Sequence, residues 1–246
     1  MAVALAGAGA RVAVLGRNPE AAESKADELS DQGYEAMAVV ADVLNEQQLR
    51  DAKRQVLDRW GRIDILINAA GGNVARSRTD GVPVFTMPFD AFDDVVRLNL
   101  HGTVYPSLIF GEAMAESGRG SIVNVSSMAS MQAISGVLGY SAAKAATENV
   151  TRWMAVDLAK QFGDGLRVNA VAPGFFIAEQ NRAVLMNDDG TYTERAETII
   201  RRTPMGRFGE AHELQGPVLW LCSDAASFVT GTVIPVDGGF SAYSGV

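Results

Sequence analysis

Six short runs rich in β-branched and apolar residues recur along this chain with helical stretches between them, and that alternation constrains its fold more than any other feature. The strand candidates are Arg11–Leu15, Glu35–Val40, Ile63–Asn68, Ser121–Ser126, Leu166–Val171 and Thr232–Val236. Helical spacing covers Pro19–Gln32, Glu46–Trp60, Phe89–Ser117, Tyr140–Phe162 and Ala211–Ser223. A strand, a crossover helix and a second strand place the two strands parallel, with helices on both faces of the sheet. Local signals agree: Asn18 and Pro19 form a cap with proline at the first helical position, and Gly33 supplies a stop. The expected fold is therefore α/β, a Rossmann-like, doubly wound parallel sheet flanked by helices. No repeat, low-complexity tract or linker divides it, so residues 1–246 are read as one domain. Its one long irregular stretch, Gly174–Pro204, is expected to be a substrate lid.

Composition removes several function classes. With 21 Lys+Arg against 29 Asp+Glu and a net charge of -8, the chain lacks the clustered basic surface that neutralises phosphates, so no nucleic-acid partner is expected. The single cysteine, Cys222, cannot close an intrachain disulfide. Only His101 and His212 could join it around a metal, so no metal site is expected. Apolar runs stay well short of the roughly 18–20 residues that cross a bilayer. The small-residue start Met1–Ala10 has no basic stretch ahead of it and runs into Arg11, unlike a secretory leader. A cytoplasmic protein without a membrane partner is the resulting expectation.

In open parallel sheets, ligands bind beyond the carboxyl ends of the strands. The fourth strand candidate ends at Asn124-Val125-Ser126-Ser127, and thirteen residues later Tyr140-Ser-Ala-Ala-Lys144 opens a long helix. Residues four apart share one helical face, so the phenol and the ammonium can reach one ligand. A phenol titrating near pH 10 is a poor base at neutral pH, and a nearby cation favours its phenolate; Lys144 is placed to supply that charge. Ser127 can hydrogen-bond a substrate oxygen that alternates between carbonyl and alkoxide. Tyrosine and lysine at this spacing also occur as ordinary packing pairs, and it is the Ser-Ser strand end before them and Arg167-Val-Asn-Ala-Val-Ala-Pro173-Gly174 after them that sharpen the reading.

Taken together these elements resemble the short-chain dehydrogenase/reductase family over nearly all of Ala2–Val246. The matching residues are Asp42-Val43, Asn68-Ala69-Ala70-Gly71, Asn99, Asn124 to Ser127, Tyr140 with Lys144, Pro173-Gly174 and Asp237-Gly-Gly239. The resemblance implies a catalytic set of Asn99, Ser127, Tyr140 and Lys144. In it, Tyr140 is the general acid/base, Ser127 positions the reacting oxygen, Lys144 binds the ribose and lowers the phenol's pKa, and Asn99 holds a water of the proton relay. It also implies a nicotinamide cofactor contacted by Asp42, Val43, Asn68, Ala69, Ala70, Gly71, Tyr140, Lys144, Pro173, Gly174 and Ile177. Ala178 stands where the family often has a threonine that holds the carboxamide, which leaves that contact to the backbone of Ile177. At the end of the first visible strand, Arg17 suits a 2′-phosphate better than a ribose diol, so NADP is expected, with NAD the alternative.

The front of the chain departs from that family. No TGxxxGxG turn is present, and Gly7-Ala-Gly9 precedes a strand, whereas a phosphate-binding turn must follow one. The first, central strand of the sheet is therefore expected to be missing, leaving two strands with unpaired backbone and a hole between them. From this the expectation is that the natural polypeptide begins upstream of Met1; if it does not, weakened cofactor binding and a non-catalytic binding role become the alternative.

The lid sequence Pro173-Gly-Phe-Phe-Ile-Ala-Glu-Gln180-Asn-Arg182 and the C-terminal residues resemble the D-mannonate oxidoreductase (fructuronate reductase) branch. That implies interconversion of a sugar-acid ketone and alcohol, with another polyol, acyl or steroid-like carbonyl as the alternative substrate. Candidate substrate contacts are Asn73, Gln180, Asn181 and Arg182, with Arg76 and Arg78 as further carboxylate partners. The helices Phe89–Ser117 and Tyr140–Phe162 carry apolar residues on more than one side, including Trp153, Met154 and Val156, which predicts a homotetramer or homodimer.

Overall fold

A computed structural model describes residues 1–245, with the side chain of Gln180 outside the described part. From the amino end it runs α1 (Ala2–Gly7), β1 (Val12–Gly16), α2 (Pro19–Asp31), β2 (Ala36–Val40), α3 (Glu46–Trp60) and β3 (Ile65–Asn68). Then follow α4 (Phe89–Val96), α5 (Gly102–Ser117), β4 (Gly120–Val125), α6 (Leu138–Phe162) and β5 (Leu166–Pro173). The chain closes with α7 (Glu179–Leu185), α8 (Glu194–Arg202), α9 (Gln215–Cys222) and β6 (Val233–Val236).

The helix starts follow from short polar side chains that satisfy free amides. Asn18 Oδ1 accepts from Ala21 N at 2.9 Å to open α2, and Asn45 Oδ1 accepts from Gln48 N at 3.1 Å to open α3. Helix α3 buries Leu49, Ala52 and Val56 on one stripe and stops at Gly61, whose φ of 75° the missing Cβ permits. In the middle of the sheet, β5 is buried from Leu166 to Ala172. Its one buried amide side chain, Asn169, donates to Val229 O at 2.8 Å and accepts from Thr232 N at 3.1 Å, so it bears no desolvation penalty.

All strand pairs are parallel, as the alternation predicts, but the sheet is in two pieces. One piece is β1–β2 and the other has the order β3-β4-β5-β6. Helices α3 and α5 pack on one face, α1 and α9 on the other. Between β1 and β3 lies a cavity of about 770 Å³, lined by residues of both strands and of α1, α3 and α5. It is the hole expected from the absent glycine turn and its strand.

Two sequence expectations change in detail. The helix expected over Phe89–Ser117 is interrupted by a π-turn at Arg97–His101, which carries Asn99. Gly174–Pro204 is not irregular throughout, since α7 and α8 lie within it. The sequence reading missed α8, although its signals are present: Thr193 caps it by accepting from Ala196 N at 3.2 Å, and Ala196, Ile199 and Ile200 fall on one stripe.

Candidate active site

The carboxyl ends of β3, β4 and β5 bring the sequence candidates together around the amino end of α6. A buried amide network sets the strand spacing. Asn68 Nδ2 donates to Ser107 Oγ and to Asn124 Oδ1, both at 2.8 Å, and Asn124 Nδ2 donates to Thr151 Oγ1 at 2.8 Å. The Asn68 side chain is thus committed inside the protein, which leaves its backbone for the expected cofactor contact.

Beyond Asn68 the chain passes Ala69 and Ala70, which line the cavity, to Gly71. A Cβ on Gly71 would sit 2.6 Å from Asn99 Oδ1 and 3.2 Å from Lys144 Nζ, so only glycine lets the three meet. Asn99 is fully buried. Its Nδ2 donates to Gly72 O and Val95 O, both at 2.8 Å, and its Oδ1 accepts from Gly72 N at 3.0 Å. It both bridges the π-turn and pins the loop that follows β3. A π-turn inserts one extra residue and re-aims the side chains after it, a common device at functional sites.

Lys144 is 4 % exposed. Its Nζ donates to Val125 O at 2.7 Å and lies 5.5 Å from the centre of the Tyr140 ring. Burial lowers the ammonium from 10.5 to about 8. Burial also pushes the partly buried Tyr140 phenol above its ordinary range, while the hydrogen bond with Ser127 opposes that shift. The lowering of the phenol by Lys144 expected from the i,i+4 spacing is not found in the protein alone. Desolvation prevails because the ammonium turns to the Val125 carbonyl and approaches the ring centre.

Ser127 begins the short turn Met128–Ser130, where its Oγ accepts from Ala129 N at 3.2 Å. The sequence reading missed the residue that holds this turn. Glu148, one turn beyond Lys144 and 6 % exposed, accepts from Ser126 Oγ at 3.0 Å, from Ser130 Oγ, and from Arg152 at 3.2 Å. A Glu148→Leu variant leaves Ser126 Oγ and Ser130 Oγ with backbone acceptors alone, Lys144 O at 3.4 Å and Ser127 O at 2.5 Å, and is expected to lose about 1–2 kcal/mol in denaturant unfolding. Loss below about 0.5 kcal/mol would show the anchor to be unimportant. A glutamate four residues past a lysine on a helix invites a solvated-face reading, and only the serines of the preceding strand hint at burial.

The remaining candidates form separate groups. Arg17 and Asp42 lie 4.0 Å apart at the ends of β1 and β2, with Arg17 exposed. Val43 packs against Gly102, where a Cβ would come within 3.1 Å of it. Pro173 ends β5, and Gly174 approaches Asp237 so closely that a Cβ would lie 2.6 Å from its Cα. Ile177 packs under α7 and α8. The proposed substrate contacts are not gathered. Asn73 and Arg182 are exposed, Arg76 pairs with Asp90 at 2.6 Å, and Arg78 pairs with Asp80 at 2.8 Å. Asn181 accepts from Ala178 N and donates to Phe176 O, both at 2.8 Å, which corrects its reading as a free donor. Gln180 has its backbone in α7, and its side chain lies outside the described residues.

Asp80 has a use the sequence did not reveal. It accepts from Arg78 and lies 3.3 Å from Arg195 of α8, which also donates to Ser135 O at 3.3 Å. This ties α8 to the loops after β3 and β4.

Residues 1–241 match the family model described as enoyl-(acyl carrier protein) reductase. With this match and the relatives below, the chain belongs to the short-chain dehydrogenase/reductase family and is an NAD(P)-dependent oxidoreductase. It is 44% identical over 256 residues to the uncharacterized oxidoreductase UxuB of Bacillus subtilis (strain 168), covering 100% of this chain and 91% of that one. A crystal structure from Haemophilus influenza, provisionally named a D-mannonate oxidoreductase and holding NAD, aligns with a TM-score of 0.92. The identity is 40%, over 98% of this chain and 90% of that one. A gluconate 5-dehydrogenase from Burkholderia cenocepacia J2315, in complex with NADP and tartrate, aligns at 0.88 with 33% identity, over 98% and 89%.

The residues present fit the nicotinamide and ribose side of such a cofactor. Gly71 leaves room beside Lys144, whose ammonium has further donors after its bond to Val125. For the diphosphate, the described residues between β1 and β3 offer the cavity and no glycine turn.

Proposed function

We propose that the enzyme interconverts a ketone and a secondary alcohol on a sugar acid of the D-mannonate/D-fructuronate kind, using NADP in preference to NAD. When bound, the nicotinamide supplies or accepts the hydride. Tyr140 donates the proton to, or removes it from, the substrate oxygen, and Ser127 donates a hydrogen bond to that oxygen. Lys144 holds the ribose and a positive charge beside the phenol, and Asn99 fixes the loop at Gly72 and holds a water of the proton relay. The convergence of Gly71, Asn99 and Lys144 within contact distance, with Tyr140 and Ser127 alongside, carries this reading.

The sugar-acid assignment draws on the two relatives named for such acids and on the tartrate held by one of them. In the preference for NADP, the exposed Arg17 pairs with a 2′-phosphate. Purified protein assayed with NADPH and NADH against a panel of keto sugar acids is expected to turn over at least one of them, faster with NADPH. Turnover of steroid or acyl ketones alone would overturn the substrate class. Arg17→Ala is expected to raise KM for NADPH about tenfold and leave that for NADH unchanged, as one charge-assisted contact is lost; equal effects on both would remove the NADP preference.

Association into a dimer or tetramer belongs to the same proposal. Tyr105 and Leu108 on α5 and Trp153 and Val156 on α6 are exposed apolar side chains that a second subunit would cover. Light scattering at micromolar concentration is expected to report an oligomer that Trp153→Glu dissociates; a monomer before substitution would contradict this.

A further inference from the structure

We propose that Asp80 is a positioning residue for the reaction, whose carboxylate, shared by two arginines, clamps α8 down over the mouth of the active site. The clamp draws on three segments far apart in the sequence. Asp80 lies on the loop that continues from Gly71 and Gly72, and Ser135 and Gly136 lie on the loop that leads from Ser127 to Tyr140. Arg195 stands in the first turn of α8. Thr79 N donates to Gly136 O at 3.1 Å, which joins the two loops. Gly136 has a φ of 78°, and a Cβ on it would fall 2.5 Å from Asp80 Oδ1, so the carboxylate rests directly on the glycine backbone.

Charge attaches the third segment. Asp80 Oδ2 accepts from Arg78 Nε at 2.8 Å, which fixes the carboxylate and leaves Oδ1 facing α8. Arg195 Nη1 donates to that Oδ1 and to Ser135 Oγ, and its Nη2 donates to Ser135 O, all at 3.3 Å. A planar guanidinium with its donors in a fixed fork can span a carboxylate on one loop and a carbonyl on the other. Little else ties α8 to the body. It buries Ala196 and Ile199, in a small cluster with Leu185 and Phe208 that stands apart from the cores packed on the sheet.

The side chains of Arg195 and Asp80 are 32% and 34% exposed, so dissolved ions reach the pair. Screening acts over about 10 Å at 0.1 M salt and about 3 Å at 1 M, which makes the clamp sensitive to salt where an apolar attachment is not. The contribution of the clamp to the reaction rests on the oxidoreductase reading. A lid held at Asp80 retains the bound substrate beside Ser127 and Tyr140, so loss of the clamp weakens retention more than the chemical step. The clamp itself stands without that reading.

The test measures hydrogen exchange in the unaltered chain, Asp80→Asn, Arg195→Ala and the double variant, with neither cofactor nor substrate added. Asp80→Asn keeps the shape of the side chain and removes its charge. It is expected to speed exchange at the amides of Thr198 to Arg202 about fivefold, while those of α3 exchange as before. Raising NaCl to 1 M should bring the same increase in the unaltered chain and none in Asp80→Asn. Arg195→Ala should speed exchange at least as much, and adding Asp80→Asn to it should change nothing further. Gly136→Ala displaces the carboxylate without removing a charge and should reproduce the Asp80→Asn pattern. Unchanged exchange in α8, additive effects in the double variant, or an equal increase in α3 overturns the proposal. With a keto sugar acid that turns over, Asp80→Asn should raise KM about fivefold with a smaller change in kcat; a fall in kcat at constant KM would refute the positioning role. If no sugar acid turns over, the oxidoreductase reading fails on its own, and the exchange rates still decide the clamp.

Discussion

A Lys144→Met variant is expected to lose about a thousandfold in turnover and yet unfold with more difficulty at neutral pH. Burial holds this ammonium at about 8, against 10.5 for a free lysine. A shift of that size corresponds to about 3 kcal/mol of destabilisation at pH 7, where the charge is still present in the folded state. Methionine removes the charge and fills similar space, but leaves Val125 O without its donor at 2.7 Å, which returns about 1 kcal/mol. The net expectation is a gain of about 2 kcal/mol in urea unfolding at pH 7.

The sign of the pH dependence follows from proton counts. Between about 8 and 10.5 the unfolded chain keeps the lysine proton and the folded chain has released it, so stability rises with pH across that window. Below it both states carry the charge and the penalty is full; above it neither does. The unaltered enzyme should show this rise and Lys144→Met should not. A methionine variant that is less stable at pH 7 would mean that the bond to Val125 outweighs the desolvation.

Gly71→Val should be nearly as damaging to activity through a different cause. The first carbon of any side chain there meets Asn99 Oδ1 at 2.6 Å and Lys144 Nζ at 3.2 Å, both belonging to buried groups that are hydrogen-bonded elsewhere. To make room, Asn99 has to leave the π-turn or Lys144 has to leave Val125. The expected result is a fall in kcat of at least about 100-fold, with about 1–3 kcal/mol lost from stability. A fall in stability without loss of kcat in the folded fraction would separate this glycine from the chemistry.

Much of this was legible in the sequence, for identifiable reasons. Parallel strands announce themselves as β-branched runs between helices, and Asn18-Pro19 and Gly33 punctuate the first of them through backbone geometry. Tyr140 and Lys144 on α6, and Ser127 after β4, lie where the i,i+4 rule and a strand end put them. What escaped depends on contacts between distant segments. Asn68 looks like a ligand-facing residue, and only the fold shows that Ser107 and Asn124 occupy its amide. Glu148 looks solvated until Ser126 and Ser130 close over it. The π-turn at Arg97–His101 leaves the helical periodicity nearly unchanged, so one unbroken helix was expected through Asn99. The cavity between β1 and β3 and its unpaired edges were foreseeable as a missing strand, and the register of both ladders adds which residues face it.

The acid/base role of Tyr140 is tested most directly by Tyr140→Phe, measured with NADPH and a sugar-acid substrate under single-turnover conditions across pH. The phenylalanine keeps the ring beside Lys144 and removes only the hydroxyl. Hydride transfer is expected to fall by about 1,000-fold with little change in cofactor affinity, and the pH dependence set by the phenol should vanish. Transfer at an undiminished rate, with the same pH profile, would contradict it.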